Sequence, residues 1–230
     1  MNDTIISHQL YTVYHHLFTR YGPQHWWPGD TPFEVIVGAI LTQSTAWTNV
    51  EKAIGNLKQA GALSATALRA MPDDELAGFV RPSGYFNVKA RKLKTFVTWL
   101  ERRCGDDLDA LFKTDTMTLR EELLAVYGIG EETADSVLLY AGEKPVFVID
   151  AYTRRIVDRL GIDPGGTTYG DYQRRFMNNL PADTRLYNEY HALIVRHGKD
   201  TCLKTRPKCD GCCLNPGLPV PDTGFPCSVL

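Results

Sequence analysis

Val126 to Asp150 reads VYGIGEETADSVLLYAGEKPVFVID. Gly128-Ile129-Gly130 predicts a turn that opens a helix at Glu131-Glu132-Thr133 and carries it to about Ala141. Paired glycines admit left-handed or crowded backbone that a side chain would block. The N–H groups left free at the start of such a helix are a natural seat for an anion. A short apolar, strand-like run follows, Val146 to Ile149, and ends in a lone carboxylate, Asp150, ahead of a further helical stretch near Ala151–Leu160. A phosphate grip followed by a carboxylate at a helix start points to an active site that works on bound nucleic acid. The plainer reading of Asp150 is an ordinary N-cap, which Asp favours.

The surrounding chain is helical in its punctuation. Thr31-Pro32-Phe33-Glu34 combines an N-cap threonine, a proline at the first helical position and a capping-box glutamate. Further helices are expected over Asn49–Ala60, Asp73–Phe79, Val88–Arg103, Leu119–Val126, Tyr169–Asn179 and Asp183–His197, which makes the class all-α. With 230 residues, 43% of them hydrophobic, the chain can bury a real core in one or two domains. A formal net charge of −2 excludes a surface that holds polyanions everywhere, so any grip on DNA must be local. No stretch reaches the apolar length of a membrane span, and MNDTIISHQLYTVYHH lacks the basic flank and apolar core of a secretory signal, so a cytoplasmic protein is expected.

Five of the six cysteines fall in the last 29 residues, from Cys202 on, and the stretch Leu203 to Pro226 among them holds five prolines and three glycines and should be irregular. Cys202, Cys209 and Cys212 follow C-x6-C-x2-C. Thiolates at short, unequal spacings suit the corners of an iron–sulfur cubane, although four thiolates would equally serve zinc.

Taken together, the hairpin, its spacing to Asp150 and the terminal cysteines resemble the helix-hairpin-helix DNA glycosylases of the endonuclease III superfamily. The Gly-apolar-Gly turn of that family matches Gly128, Ile129 and Gly130. Its essential aspartate lies in a pattern like V-x-D-x-Y-x-x-R, matched by Val148 to Arg155 around Asp150. The resemblance implies two lobes. One is a six-helix module, 29–140, with the hairpin at 119–141; the other is discontinuous, 1–28 with 141–230, and carries the cysteine cluster at 201–227. Hairpin and aspartate would face the cleft between them. The family's C-x6-C-x2-C-x5-C motif holds a [4Fe–4S] cluster. Here the fourth place is Leu218, so Cys227 is the expected fourth ligand through a longer loop, with Cys213 disfavoured because it adjoins Cys212. Such a cluster would be structural and electrostatic.

Within the superfamily, bifunctional members carry a nucleophilic lysine at the position of Glu132, and a carboxylate cannot form a Schiff base. A monofunctional glycosylase that leaves an abasic site is expected. Glu131 and Glu132 also complement the dipole of their helix. The mismatch-adenine branch places an acid where Ala39 stands, so that branch is disfavoured. Trp26-Trp27-Pro28, Leu41 to Trp47 and Val80 to Ala90 resemble the 3-methyladenine branch, as does Gly128 to Asp135. A 3-methylated adenine is already cationic, hence a good leaving group, and is drawn to electron-rich rings by roughly 1–2 kcal/mol. Trp47 is the expected stacking face, and Trp26 and Trp27 the expected pocket walls; tryptophans beside proline are otherwise core. Glu132 would border this pocket, and Lys199 would border it or touch DNA.

By the same resemblance Gln43 fills the gap left by the flipped base and Tyr85 wedges the opposite strand. Lys89, Arg91, Lys92 and Lys94 form a basic run that meets the backbone or is simply solvated. Implied partners are double-stranded DNA with a damaged base and, downstream, an abasic-site endonuclease, the protein acting as a monomer. Two other functions stay open: a uracil or thymine mismatch glycosylase, and a non-catalytic lesion-binding module.

Overall fold

The computed structural model describes residues 3–215. It is all-α: among the described residues there are helices, turns and extended connections but no strand. The chain divides into two compact units, Pro28–Lys144 and the discontinuous pair Met1–Trp27 with Pro145–Leu230.

The first unit contains α2 (Pro32–Leu41), α3 (Trp47–Gln59), α4 (Ala65–Ala70), α5 (Asp73–Val80), α6 (Phe86–Cys104), α7 (Leu108–Phe112), α8 (Thr116–Leu124) and α9 (Glu131–Ser136), the last continuing as a wide π turn, Val137–Ala141. Side chains on the preceding residue cap half of these helices: Thr31, Ser64, Asp107 and Asp115 each accept a first-turn N–H. The Glu34 carboxylate departs from a capping box. It accepts from Asp30 N at 3.1 Å, one residue early, and is held by Lys58 at 2.7 Å. Its burial is compatible with its charge because both oxygens are matched. Helix α2 is buried along Val35–Leu41 and packs against α3, α6, α9 and the π turn. The α8–α9 pair is locked from behind: Arg120 forks onto the fully buried Asp135 at 2.6 and 3.1 Å.

The second unit contains α1 (Asp3–Tyr21), α10 (Ala151–Arg159), α11 (Tyr169–Met177) and α12 (Thr184–Asp200). Its centre is aromatic. Phe147 stacks on Phe176 with centroids 4.1 Å apart and meets Tyr187 and Tyr190 edge-on. Val146–Ile149, expected as a strand, is extended and buried but pairs with no strand. Side chains of α11 meet its backbone instead: Gln173 Nε2 donates to Phe147 O at 2.8 Å, and Ile149 N donates to the Tyr169 hydroxyl at 3.2 Å. Buried peptide groups need partners, and here these two come from side chains. No described helix is long and apolar enough to cross a membrane.

Candidate functional site

The glycine turn has one strained glycine rather than two. Gly128 has φ +85°, and a Cβ there would meet the Lys92 stem at 2.4–2.8 Å. Gly130 is the N-cap of α9, with extended backbone at φ −98° and no side-chain cap; a Cβ there would meet nothing within 4 Å. The fold therefore requires glycine at 128, whereas at 130 glycine leaves open space before the first turn of α9. Ile129, between them, is buried and anchors the turn. Glu131 and Glu132 are exposed in that turn.

Gln43, just past the end of α2, is tied to the hairpin. Its Nε2 donates to Gly128 O and to Thr133 Oγ1, both at 2.9 Å, and its Oε1 accepts from Lys92 Nζ. Tyr85 stands differently. It is 72% exposed, sits in the left-handed region at φ +45°, and follows Gly84 at φ +70°. Tyrosine rarely adopts that conformation, and residues held in it gather at functional sites. Tyr127, half-exposed and adjoining Gly128, was missed in the sequence; Arg91 stacks on it with Cζ 4.5 Å from the ring centroid. The basic run is corrected as a unit. Lys89 is buried, Lys92 holds Gln43, Lys94 bonds to Arg69 O and Met71 O, and only Arg91 is exposed.

Trp47 opens α3 half-buried, its indole N–H donating to Glu51 at 2.8 Å one turn on. Trp26 and Trp27 meet edge-to-face at 5.3 Å, and Lys199 Nζ lies 5.9 Å from the Trp26 centroid. Lys199 and Trp26 thus come together in the discontinuous unit.

Asp150 caps α10 in the same unit and is buried to 8% exposure. Its Oδ1 accepts from Thr153 N at 2.7 Å and Thr153 Oγ1 at 2.8 Å; its Oδ2 lies 3.7 Å from His191 Nε2 on α12. Burial holds the His191 imidazole below its ordinary pKa, with Asp150 pulling the other way. The carboxylate therefore has one oxygen fixed and the other facing a ring that burial keeps neutral. Thr153 could have been found as the third residue after an N-cap; His191, inside a buried helix face, left no signal.

Cys202, Cys209, Cys212 and Cys213 are free thiols. Among the described residues no three Cys, His, Asp or Glu side chains converge on one metal-ion position. Burial first, then the charges of Cys202 and Cys209, push the Cys212 thiol up. Arg159 donates to Cys202 Sγ at 3.1 Å and to Leu203 O at 2.8 Å, and Arg155 donates to Cys202 O at 2.9 Å. His197 Nε2 is 3.5 Å from Cys212 Sγ. A guanidinium aimed at the Cys202 sulfur favours its thiolate, the form that ligates a metal. Burial, with the charge of the adjoining Cys212, pushes the Cys213 thiol up to about 11. Cys227 lies outside the described residues.

Residues 37–182 match the family described as HhH-GPD superfamily base excision DNA repair protein. A candidate DNA repair glycosylase of Methanocaldococcus jannaschii is 45% identical over 205 residues, 88% of this chain and 92% of that one. Endonuclease III of Sulfolobus acidocaldarius is 30% identical over 181 residues, 78% of each chain. Among solved structures, the 3-methyladenine DNA glycosylase of Helicobacter pylori bound to 1,N6-ethenoadenine superposes with a TM-score of 0.70 at 28% identity, covering 86% of this chain and 98% of that one.

Proposed function

The chain belongs to the HhH-GPD superfamily of base excision DNA repair proteins, and from that premise we propose that it is a monofunctional DNA glycosylase that excises alkylated purines of the 3-methyladenine type. The observation that carries the reading is Asp150: a buried carboxylate at a helix start, with one oxygen held twice by Thr153. A DNA-binding module has no need of such a group. Likeness to the Helicobacter pylori enzyme over nearly its whole length supports the substrate class.

In this reading the hairpin amides hold a phosphate of double-stranded DNA, Tyr85 and Gln43 enter the stack, and the damaged base is flipped at a cost of a few kcal/mol. Trp47, Trp26 and Trp27 offer ring faces to the cationic base, with Glu132 and Lys199 at the pocket margin. The C1′–N bond breaks and the base leaves with the bonding electrons. Positive charge develops at C1′ and the ring oxygen, and Asp150 stabilises it. Water adds to C1′ and gives up a proton, leaving an abasic site for a downstream endonuclease. Glu132 stands where a Schiff-base lysine would, so the strand stays intact.

Cys202, Cys209 and Cys212 would hold three corners of a [4Fe–4S] cluster, with Cys227 as the fourth ligand. When bound, the cluster supplies a rigid, charged anchor for this loop and no hydrolytic chemistry. Arg155 and Arg159 would tie that loop to the helix that Asp150 begins.

The test is mass-spectrometric analysis of bases released from methylated duplex DNA, with the Asp150→Asn protein alongside. Release of 3-methyladenine by the wild type alone is expected. No methylpurine from the wild type would reject this substrate and turn the search to uracil and thymine mismatches.

A further inference from the structure

Lys89 is a buried cation that the mechanism above does not use. It is 2% exposed, and its ammonium donates to Leu41 O at 2.8 Å and Ser83 O at 2.6 Å. Both partners are neutral carbonyls. Taking a full charge out of water without an opposite charge is costly, so an apolar side chain of the same length would serve packing better. Burial, with the nearby charge of Lys92, lowers the Lys89 pKa to about 8, which expresses that cost.

The two carbonyls are informative in their positions. Leu41 ends α2 and lies two residues before Gln43; Ser83 lies two residues before Tyr85. A single ammonium thus bridges the roots of two loops that are 42 residues apart in sequence. Lys89 also donates its backbone N–H to Tyr85 O at 3.0 Å, closing the first turn of α6 under the strained tyrosine. One turn further, Lys92 takes hold of the Gln43 side chain. Helix α6 therefore grips the Gln43 loop at its backbone and its tip, and the Tyr85 loop at its base.

We propose that Lys89 is a positioning residue that sets the Gln43 and Tyr85 loops in register so that both side chains enter the duplex together. The proposal rests on the DNA-flipping function given above. Lys89 does not touch DNA; it fixes the distance between two groups that do.

The test uses a duplex with a tetrahydrofuran abasic analogue and 2-aminopurine in the opposite strand, so that no excision is needed. Wild type is expected to prefer this duplex over an undamaged one and to raise the 2-aminopurine fluorescence as the opposite base unstacks. Lys89→Met is expected to bind undamaged duplex within about twofold of wild type, yet to lose about tenfold of the preference and most of the fluorescence rise. Lys94→Met removes another inward lysine of α6 and should keep both signals. Lys89→Gln, which retains an N–H donor, should recover part of the loss, and it replaces Lys89→Met if that protein does not fold. Wild-type behaviour in either Lys89 variant, or an equal loss in Lys94→Met, overturns the proposal. A wild type that neither binds the abasic duplex nor unstacks the opposite base overturns the DNA-flipping reading itself, and the proposal with it.

Discussion

Thr153 holds Asp150 by two donors at once, its backbone N–H and its hydroxyl meeting the same carboxylate oxygen at 2.7 and 2.8 Å. That oxygen is occupied by the fold, which in the proposed mechanism leaves Oδ2 to face the sugar. Asn caps a helix about as well as Asp, so Asp150→Asn should melt close to wild type while base release falls by about 10²–10³-fold. Thr153→Val removes only the hydroxyl and should cost about tenfold in turnover and about 1 kcal/mol in stability. Single-turnover base release and thermal melts check both. Normal turnover in Asp150→Asn would remove Asp150 from the mechanism.

The two hairpin glycines should separate stability from binding. Gly128→Ala places a Cβ at positive φ and against the Lys92 stem, and should destabilise by about 1–3 kcal/mol while loosening Gln43. Gly130→Ala meets no neighbour and should leave the melting temperature within a degree or two of wild type, by about the ±0.5 kcal/mol usual at the surface. Its methyl group stands before the first-turn amides, so duplex affinity measured by fluorescence anisotropy should still drop. Unchanged affinity in Gly130→Ala would show that these amides do not meet the phosphate.

On the proposed monofunctional reading, Glu132 in place of a lysine leaves the strand uncut. Borohydride should trap no covalent complex between wild type and an abasic duplex, because the first turn of α9 offers carboxylates and no amine. Glu132→Lys introduces the amine and should give a trapped band on a denaturing gel. A band with wild type would point to another amine, and Lys199 would be the first to replace.

Buried tyrosines set an alkaline limit. Burial pushes Tyr14 and Tyr187 up to about 12 and raises Tyr190 well above its ordinary value. A raised folded-state pKa means the folded protein holds its protons longer than the unfolded chain. Their contribution is therefore complete below pH 10 and lost as pH rises from about 10 to 12. Melting temperatures should fall steeply across that window. The Tyr187 hydroxyl has no hydrogen-bond partner among the described residues, so Tyr187→Phe should be neutral at pH 7 and flatten the alkaline fall.

Helices with an N-cap and several turns of periodic apolar residues were readable in the chain, because the cap and the buried stripe are both local signals. Asp150 is the clearest example: a lone acid ahead of a helical stretch proves to be the N-cap of α10. Short α4 and α7 went unseen, since five or six residues carry too little periodicity. Val146–Ile149 looked like a strand because a buried apolar run is the same in either state; Tyr169 and Gln173, 20 and 26 residues from the groups they meet, decide where these peptide groups bond. The lysines of α6 misled for a related reason. Sequence shows a charge, while its direction is settled by carbonyls that other segments bring close, as Leu41 and Ser83 are brought to Lys89. His191 lay beyond reach because a histidine within a buried helix face looks like core.

The inward turn of those lysines bears on how this protein would find its target. Of the four basic residues between Lys89 and Lys94, only Arg91 is exposed, and the chain as a whole carries a formal charge of −2. Uncharged amides at the hairpin displace few counterions when they meet a phosphate, so the logarithm of affinity should fall only gently with the logarithm of salt concentration. Weak long-range attraction leaves little to hold the protein on undamaged duplex between sites. On the proposed function, its search would be one of brief, repeated landings rather than long one-dimensional sliding, with residence gained at the lesion, where the two proposed loops would enter the helix.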